Sequence, residues 1–279
     1  MKSITTATNG RQKLSAVRII GALALVIVLF PVLPVQALDL FTLWRQPEIP
    51  LHIEEGSWVD YRSQVMAGGR REEGLTRLAC LSRAGGSDDD TFLLELLPLE
   101  EQKDGSLLPM EGQGAQVRIR RDVLQRQGSL MQAIVSVHLW QDGQAREITP
   151  EELRDDPLIS TSFTSDFVPD EVSNQQSTTR IISGRQFTCR QWNLASADTQ
   201  SVVMPAGRMN QISTREIAAA VHEDIPFLGL AYASERVRAV SSLDPPNRKI
   251  PVPPARIRVE VMELVGFGFE ARAHLSRSD

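Results

Sequence analysis

Residues 257–264 set the tightest constraint on the fold of this chain. Ile257-Arg258-Val259-Glu260-Val261-Met262-Glu263-Leu264 alternates apolar and polar side chains almost without a break, and Val117-Arg118-Ile119-Arg120 does the same. Successive side chains of a strand point to opposite faces. A period of two therefore means one buried face and one wet face, which is the pattern of antiparallel sheets. Trp58-Val59-Asp60-Tyr61-Arg62-Ser63-Gln64-Val65 mixes aromatic, β-branched and polar residues and runs into Gly68-Gly69, a turn signal. Phe92–Leu97 and Ile134–Trp140 are more continuously apolar and read as strands with more of both faces covered. Leu75–Arg83 and Arg180–Trp192 are also strand-like. By composition and spacing the chain holds about nine or ten strands. The fold class is mainly β, an antiparallel sheet with one or two short helices.

Helix signals are few. Thr149-Pro150-Glu151-Glu152-Leu153 has a capping Thr, Pro at the first helical position and acidic residues in the first turn, enough for one or two turns before Pro157. Ser213-Thr214-Arg215-Glu216 matches a capping box. It favours a helix through Ile217–Val221 slightly over a strand ending at Pro226. Gln102–Gly114 and Asp155–Thr178 read as loops, the second as a flap whose Phe163, Phe167 and Val168 fold back on the sheet. Asp244–Pro254 carries five prolines and reads as an extended crossing connection into the last strand. With no internal repeat, one domain over residues 38–279 is the simplest organisation.

The first 37 residues read as an export signal. Lys2, Arg11, Lys13 and Arg18 give a basic start, Ile19–Phe30 lacks any polar side chain, and Pro31 and Pro34 break the run before Val35-Gln36-Ala37. Cleavage is expected before Leu38. An uncleaved membrane anchor is the alternative, but a spanning helix needs about 20 apolar residues, and the prolines stand where it would continue. Losing this segment removes four positive charges and no negative ones, taking the formal charge from −5 to −9. An acidic chain with 5% aromatics is poorly suited to nucleic acid, which needs clustered Lys and Arg. Membrane contact is expected only through an uncleaved signal.

An exported chain with two cysteines raises the prospect of a disulfide between Cys80 and Cys189. It would close a long loop worth about 4–5 kcal/mol in the chain-entropy model. The alternative is two separately buried thiols acting as small hydrophobes. Neither cysteine has a neighbouring His or basic cluster that would make it a nucleophile.

Reactive motifs are missing. His52, His138, His222 and His274 are scattered, with no pair at metal-ligand spacing, so no metal or cofactor is expected. His222-Glu223-Asp224 is the only polar cluster with three potential players, and before Ile225-Pro226 it reads as a cap or turn. Asp88-Asp89-Asp90 after Gly85-Gly86-Ser87 reads as a solvated hairpin turn. Gly266-Phe267-Gly268-Phe269 follows the last strand with no helix behind it. Its glycines relax the strand while both Phe pack. Nucleophile elbows and zinc-protease motifs do not occur.

Three segments carry a resemblance. Ser183-Gly184-Arg185-Gln186-Phe187-Thr188-Cys189, Glu223-Asp224-Ile225-Pro226-Phe227-Leu228-Gly229-Leu230 and the opening Gly56-Ser57-Trp58-Val59-Asp60-Tyr61 resemble uncharacterised exported bacterial proteins. Those in turn resemble the periplasmic lipoprotein-carrier superfamily. The resemblance implies an unclosed β-barrel with a helical lid over a hydrophobic cavity. The expected function is a non-enzymatic, periplasmic or exported binding or carrier protein for lipid-like or acylated cargo. A cell-envelope structural or assembly factor with a protein partner is the alternative, and an exported hydrolase fits least well. If a cavity exists, the strands Phe92–Leu97 and Ile134–Trp140 are expected to line it. Val137 and Leu139 are candidates for its wall and outer face respectively, with Phe163 and Phe167 closing over the cargo.

Overall fold

A computed structural model describes residues 43, 46, 49, 51–81, 90–125, 130–155, 169–204, 207–244, 246 and 252–275. Twelve strands form one antiparallel sheet: β1 (Trp58–Ala67), β2 (Arg70–Leu81), β3 (Thr91–Glu101), β4 (Leu107–Pro109), β5 (Gly114–Arg120), β6 (Ile134–Gln141), β7 (Gln144–Ile148), β8 (Glu171–Ile182), β9 (Arg185–Met204), β10 (Gly207–Val221), β11 (Leu230–Asp244) and β12 (Arg256–Gly268). Among the described residues, three short helices accompany them: α1 (Arg121–Gln125), α2 (Leu130–Ala133) and α3 (Pro150–Asp155). The strand order is β7-β6-β5-β3-β2-β1-β12-β11-β10-β9-β8, with β4 beside β3. Two meanders thus meet where the first strand pairs with the last, and the sheet is not closed, since β7 and β8 stand at its two edges.

On β5 the alternation written in the sequence is realised as burial, with Val117 and Ile119 inside. On β12 it is inverted over residues 257–261, where Ile257 is exposed and Val259 and Val261 are half-buried on the outer face while Glu260 is sealed inside. Along β12, Glu260, Met262 and Leu264 turn inward, and β10 buries Ile217 and Ala219 on the same inner face. One hydrophobic cluster gathers inner-face residues from both meanders, among them Val59, Leu94, Val117, Val137, Leu194, Ile217, Ala233 and Met262, so the sheet curls round a shared core. A second cluster, Leu97, Leu99, Trp140 and Leu275, covers the outer face of the first meander. This is why Phe92–Leu97 reads as continuously apolar: β3 is covered on both sides.

The C-terminal segment is fastened to that outer face by Glu95, a fully buried carboxylate. Its Oε2 accepts from His274 N at 3.0 Å, and its Oε1 accepts from Leu275 N and Gln116 Nε2, each at 3.0 Å. Gln116 Nε2 also donates to the Leu275 carbonyl at 2.7 Å.

At α3 the expected cap forms reciprocally: Glu152 N donates to Thr149 Oγ1 at 3.2 Å and Thr149 N to Glu152 Oε2 at 2.9 Å. Buried Leu153 then anchors the helix in the core. The other capping-box match, Ser213–Glu216, lies inside β10 and forms no helix. Its register between β9 and β11 gives residues 208–221 ladder partners on both sides, and tertiary pairing overrides the local signal. Arg180–Trp192 is a hairpin, not one strand: Ser183 and Gly184 have φ of 47° and 75° and make the two-residue turn between β8 and β9. Gly68-Gly69 turns as its sequence indicates. The Asp155–Thr178 stretch is strand from Glu171 onward. The strands on either side of the five-proline stretch, β11 and β12, are antiparallel neighbours in the sheet; most of the stretch lies outside the described residues.

Candidate functional site

One end of the curled sheet carries an open groove of about 380 Å³, lined by His52, Glu54, Arg185, Phe187, Glu223, Asp224, Pro226, Phe267 and Phe269. It joins the stretches that resemblance and motif search singled out separately. Ser183–Cys189 supplies Arg185 and Phe187, Glu223–Leu230 supplies the acidic turn, and Gly266–Phe269 supplies two aromatic rings.

The turn between β10 and β11 positions the carboxylates. Ile225, Phe227 and Leu228 are buried in the main core and hold the loop down, leaving Glu223 and Asp224 exposed at the rim. His222 N donates to the Gly229 carbonyl at 2.8 Å, Ile225 N to the His222 carbonyl at 3.2 Å, and Asp224 N to His222 Nδ1 at 3.2 Å. His222-Glu223-Asp224 is thus the turn its sequence suggests, and it is also groove wall. Phe227 takes φ of 64°, unusual for an aromatic residue. A two-way backbone bridge to His52, both bonds 2.6 Å, holds it there. The same bridge brings His52 and Glu54 to the groove, where His52 Nε2 meets Glu54 Oε1 at 2.8 Å.

The floor is aromatic. Phe187 and Phe267 pack edge to face with centroids 5.7 Å apart, Phe267 meets Phe269 at 6.5 Å, and His222 stands edge-on to Phe187 at 5.2 Å. Phe269 is 54% exposed. Expecting both Phe of the Gly-Phe-Gly-Phe run to pack therefore holds for half-buried Phe267 and fails for Phe269, which lies beyond the last strand. Gly268 serves Trp58 across the β1–β12 pair. A Cβ at Gly268 would lie 2.8–3.0 Å from the indole, whose ring also carries the Arg77 guanidinium at 4.4 Å. Arg77 in turn donates to both oxygens of buried Asp60, at 2.7 and 2.8 Å, fixing the strand end beside the groove.

Two of the residues proposed from sequence, Val137 and Leu139, lie away from the groove. Val137 is buried in the main core and Leu139 packs against that same core, because residues two apart on a regular strand share a face. Phe92, Leu94 and Leu96 belong to the cluster too. Phe163 and Phe167 lie outside the described residues, as do residues 1–37. Cys80 and Cys189 are not bridged; both are free and buried. They stand on β2 and β9 with four strands between them, about 24 Å along the sheet at the usual strand spacing. Burial, with a smaller contribution from Glu55, pushes the Cys80 thiol up to about 12, and burial raises the Cys189 thiol as well. Neither has the character of a nucleophile.

A second charged cluster lies on the inner face, away from the groove. The β11–β12 register sets Glu235 opposite Glu260, both essentially inaccessible to solvent. Arg215 Nε donates to Glu235 Oε1, and Arg258 Nη2 donates to Glu260 Oε2 at 2.8 Å. Burial raises the Glu235 carboxyl above its ordinary range, against the lowering effect of Arg215 and Arg258. Two arginines thus balance two carboxylates in a neutral quartet.

No protein-family model matches the chain, and no curated protein matches it in sequence. Solved structures overlap with it at low similarity. One is a domain assigned as an outer membrane lipoprotein-sorting protein from Vibrio parahaemolyticus, with TM-score 0.28 and 8% identity over 78% of this chain and 87% of that one. A DUF1329 family protein from Desulfovibrio piger gives TM-score 0.26 and 10% identity over 77% and 85%. An exported protein with a YmcC-like fold from Bacteroides fragilis gives TM-score 0.19 and 8% identity over 79% and 99%. Overlaps of this size say nothing about cargo, and the chemistry of the groove has to.

Proposed function

We propose that the protein is an exported, non-enzymatic binding or carrier protein for lipid-like or acylated cargo, and that the groove holds the apolar part of that cargo. The observation that carries this reading is the half-open aromatic floor. Phe187, Phe267 and Phe269 give apolar surface in a concavity whose volume is within the range of about 300–1,000 Å³ usual for small-molecule sites. Burying a methylene gains about 0.8 kcal/mol, so around ten carbons suffice for micromolar affinity. Export through residues 1–37, cut before Leu38, belongs to the same reading, and N-terminal sequencing of protein from its native envelope tests it.

Calorimetric titration with a neutral acyl probe, monodecanoylglycerol, tests the binding. Saturable micromolar binding is expected, weakened at least tenfold by Phe267→Ala with Phe269→Ala. Failure of the wild type to bind overturns the reading. The Phe163→Ala, Phe167→Ala pair tests whether the preceding segment also closes over cargo.

A partner-binding role in envelope assembly draws on a different feature. Edge strand β8 pairs only with β9 among the described residues and exposes Val172 and Ile181. Such an edge accepts an added strand from a protein partner. Cross-linking from position 181 in native envelopes, with capture of one defined protein, would favour this reading over the carrier.

A further inference from the structure

Resting on the reading of the groove as a cargo site, we propose that the cargo headgroup it selects is an ammonium ion, carried on an apolar tail. The lining supplies three carboxylates, Glu54, Glu223 and Asp224, against one guanidinium, Arg185. With His52 neutral, the formal charge of the wall is −2. These charges are not consumed alike by their neighbours. Glu54 is bonded to His52 at 2.8 Å, whereas Asp224 stands 3.8 Å from a His222 Nδ1 that already accepts from Asp224 N. Glu223, exposed at the same rim, has no ion-pair partner among the described residues.

The floor favours the same sign. An aromatic face attracts a cation within about 6 Å of its centroid and repels an anion. Phe187 already carries a cation in this way, with the Arg185 guanidinium 5.6 Å from its centroid, and Arg180 lies 4.0 Å over Tyr232 nearby on the sheet. The edge-to-face arrangement of Phe187, Phe267 and Phe269 leaves ring faces turned in different directions. A tail lying on these rings would therefore bring an ammonium head to the Glu223–Asp224 turn. An anionic head placed there would meet the carboxylates with only Arg185 to offset them.

Two sources present this chemistry: a free amphipathic amine, or a lipid whose zwitterionic head pairs the ammonium with a phosphate. Arg185, whose guanidinium lies over the Phe187 ring and has no ion pair among the described residues, would take that phosphate.

The test holds a ten-carbon tail constant and varies the head, using decyltrimethylammonium, decylphosphocholine and decyl sulfate below their micelle concentrations with the full chain in a calorimeter. The expected result is binding of the ammonium at least tenfold tighter than the sulfate. That ratio should collapse in Glu223→Gln with Asp224→Asn and persist in Glu72→Gln with Glu171→Gln, which removes as much charge from exposed positions outside the groove. Glu223→Lys, a single change at an exposed turn position, should invert the preference. Phosphocholine binding within threefold of the ammonium identifies a lipid head; a loss as large as the sulfate's identifies a free amine. Equal or tighter sulfate binding, or a preference unmoved by the Glu223 and Asp224 changes, overturns the headgroup assignment while leaving the groove a cargo site. Failure of every decyl compound and of monodecanoylglycerol to bind overturns the cargo reading itself.

Discussion

Two buried carboxylates of this sheet, Glu95 and Glu235, are held in opposite ways. On β3, Glu95 is sealed from solvent, and its oxygens accept from two backbone amides and the Gln116 side chain. On β11, Glu235 is as deeply buried but stands opposite a second carboxylate, Glu260, with arginines supplying the compensation. Amide donors around a charge make it a fastener, here for the C-terminal segment over the outer face. A like charge opposite makes burial costly, and Arg215 and Arg258 offset it. In the first meander β3 is covered on both faces, while Met66, Leu108 and Val135 stay exposed on other strands. The second leaves apolar side chains exposed at Val172, Ile181, Val202, Val203 and Ile212 and carries most of the groove.

The largest effect should come from breaking the quartet. Arg215→Leu removes the guanidinium bonded to Glu235, and removing one partner of a buried pair costs about 3–5 kcal/mol. In a chain of this size that is a fall in melting temperature of roughly 10 °C. A loss under about 1 kcal/mol would show that the second meander relaxes to admit water, and the contrast with Glu95 would disappear.

Glu95→Ala should cost somewhat less, about 3 kcal/mol, because it strips acceptors from two backbone amides and Gln116 that water reaches once the tail lifts. The effect should be local. Hydrogen exchange should speed up at His274 and Leu275 while the β10–β12 amides keep their protection. Uniform loss of protection would mean the two halves unfold as one and the tail is not a separate fastening.

Gly268→Ala is next, at about 1–3 kcal/mol, the usual penalty for overpacking. The added methyl would press on the Trp58 indole, which Arg77 covers from the ring face, so the indole has to move. A shift in Trp fluorescence accompanied by weaker binding of the acyl probe would tie this packing to the groove. A shift without a change in binding would confine Gly268 to the frame.

Much of this frame was legible in the sequence, and the reasons differ by element. Residues 257–264 announced β12 by their period of two, although the face buried over residues 257–261 is not the apolar one, since Ile257, Val259 and Val261 face outward and Glu260 inward. Phe92–Leu97 announced a doubly covered strand because Leu275 seals its far side. Thr149-x-x-Glu152 worked as a helix signal because Leu153 has core to enter, whereas the same spacing at Ser213–Glu216 failed between two strand partners. The Ser183-Gly184 turn was present as a dipeptide signal but hidden within a continuous strand-like stretch. The groove was the least legible part. Its walls come from residues 52–54, 185–187, 223–226 and 267–269, and only the pairing of the last strand with the first, together with the curl of the second meander, brings them together. Each piece by itself reads as a turn or a packed strand end, and each is that as well.

The smallest expected effect separates the two carboxylates by titration. Burial raises the Glu235 carboxyl in the folded protein above its ordinary value of about 4.5, with Arg215 and Arg258 pulling against the shift. The folded state then holds this proton at a pH where the unfolded chain has released it. The stability it contributes is fully present below about pH 4.5 and is lost as pH rises through the folded value. Arg215 from β10, with Arg258 and Glu260 from β12, faces this group, so the proton belongs in part to the Glu235–Glu260 pair. Glu235→Gln keeps the shape and removes the titration. Denaturant melts from pH 4.5 to 7 should therefore show wild-type stability falling more steeply with pH than that of the variant. Identical slopes would place the proton on Glu260 or dissolve the pair altogether. A steeper slope in the variant would reverse the sign assigned to burial at this site.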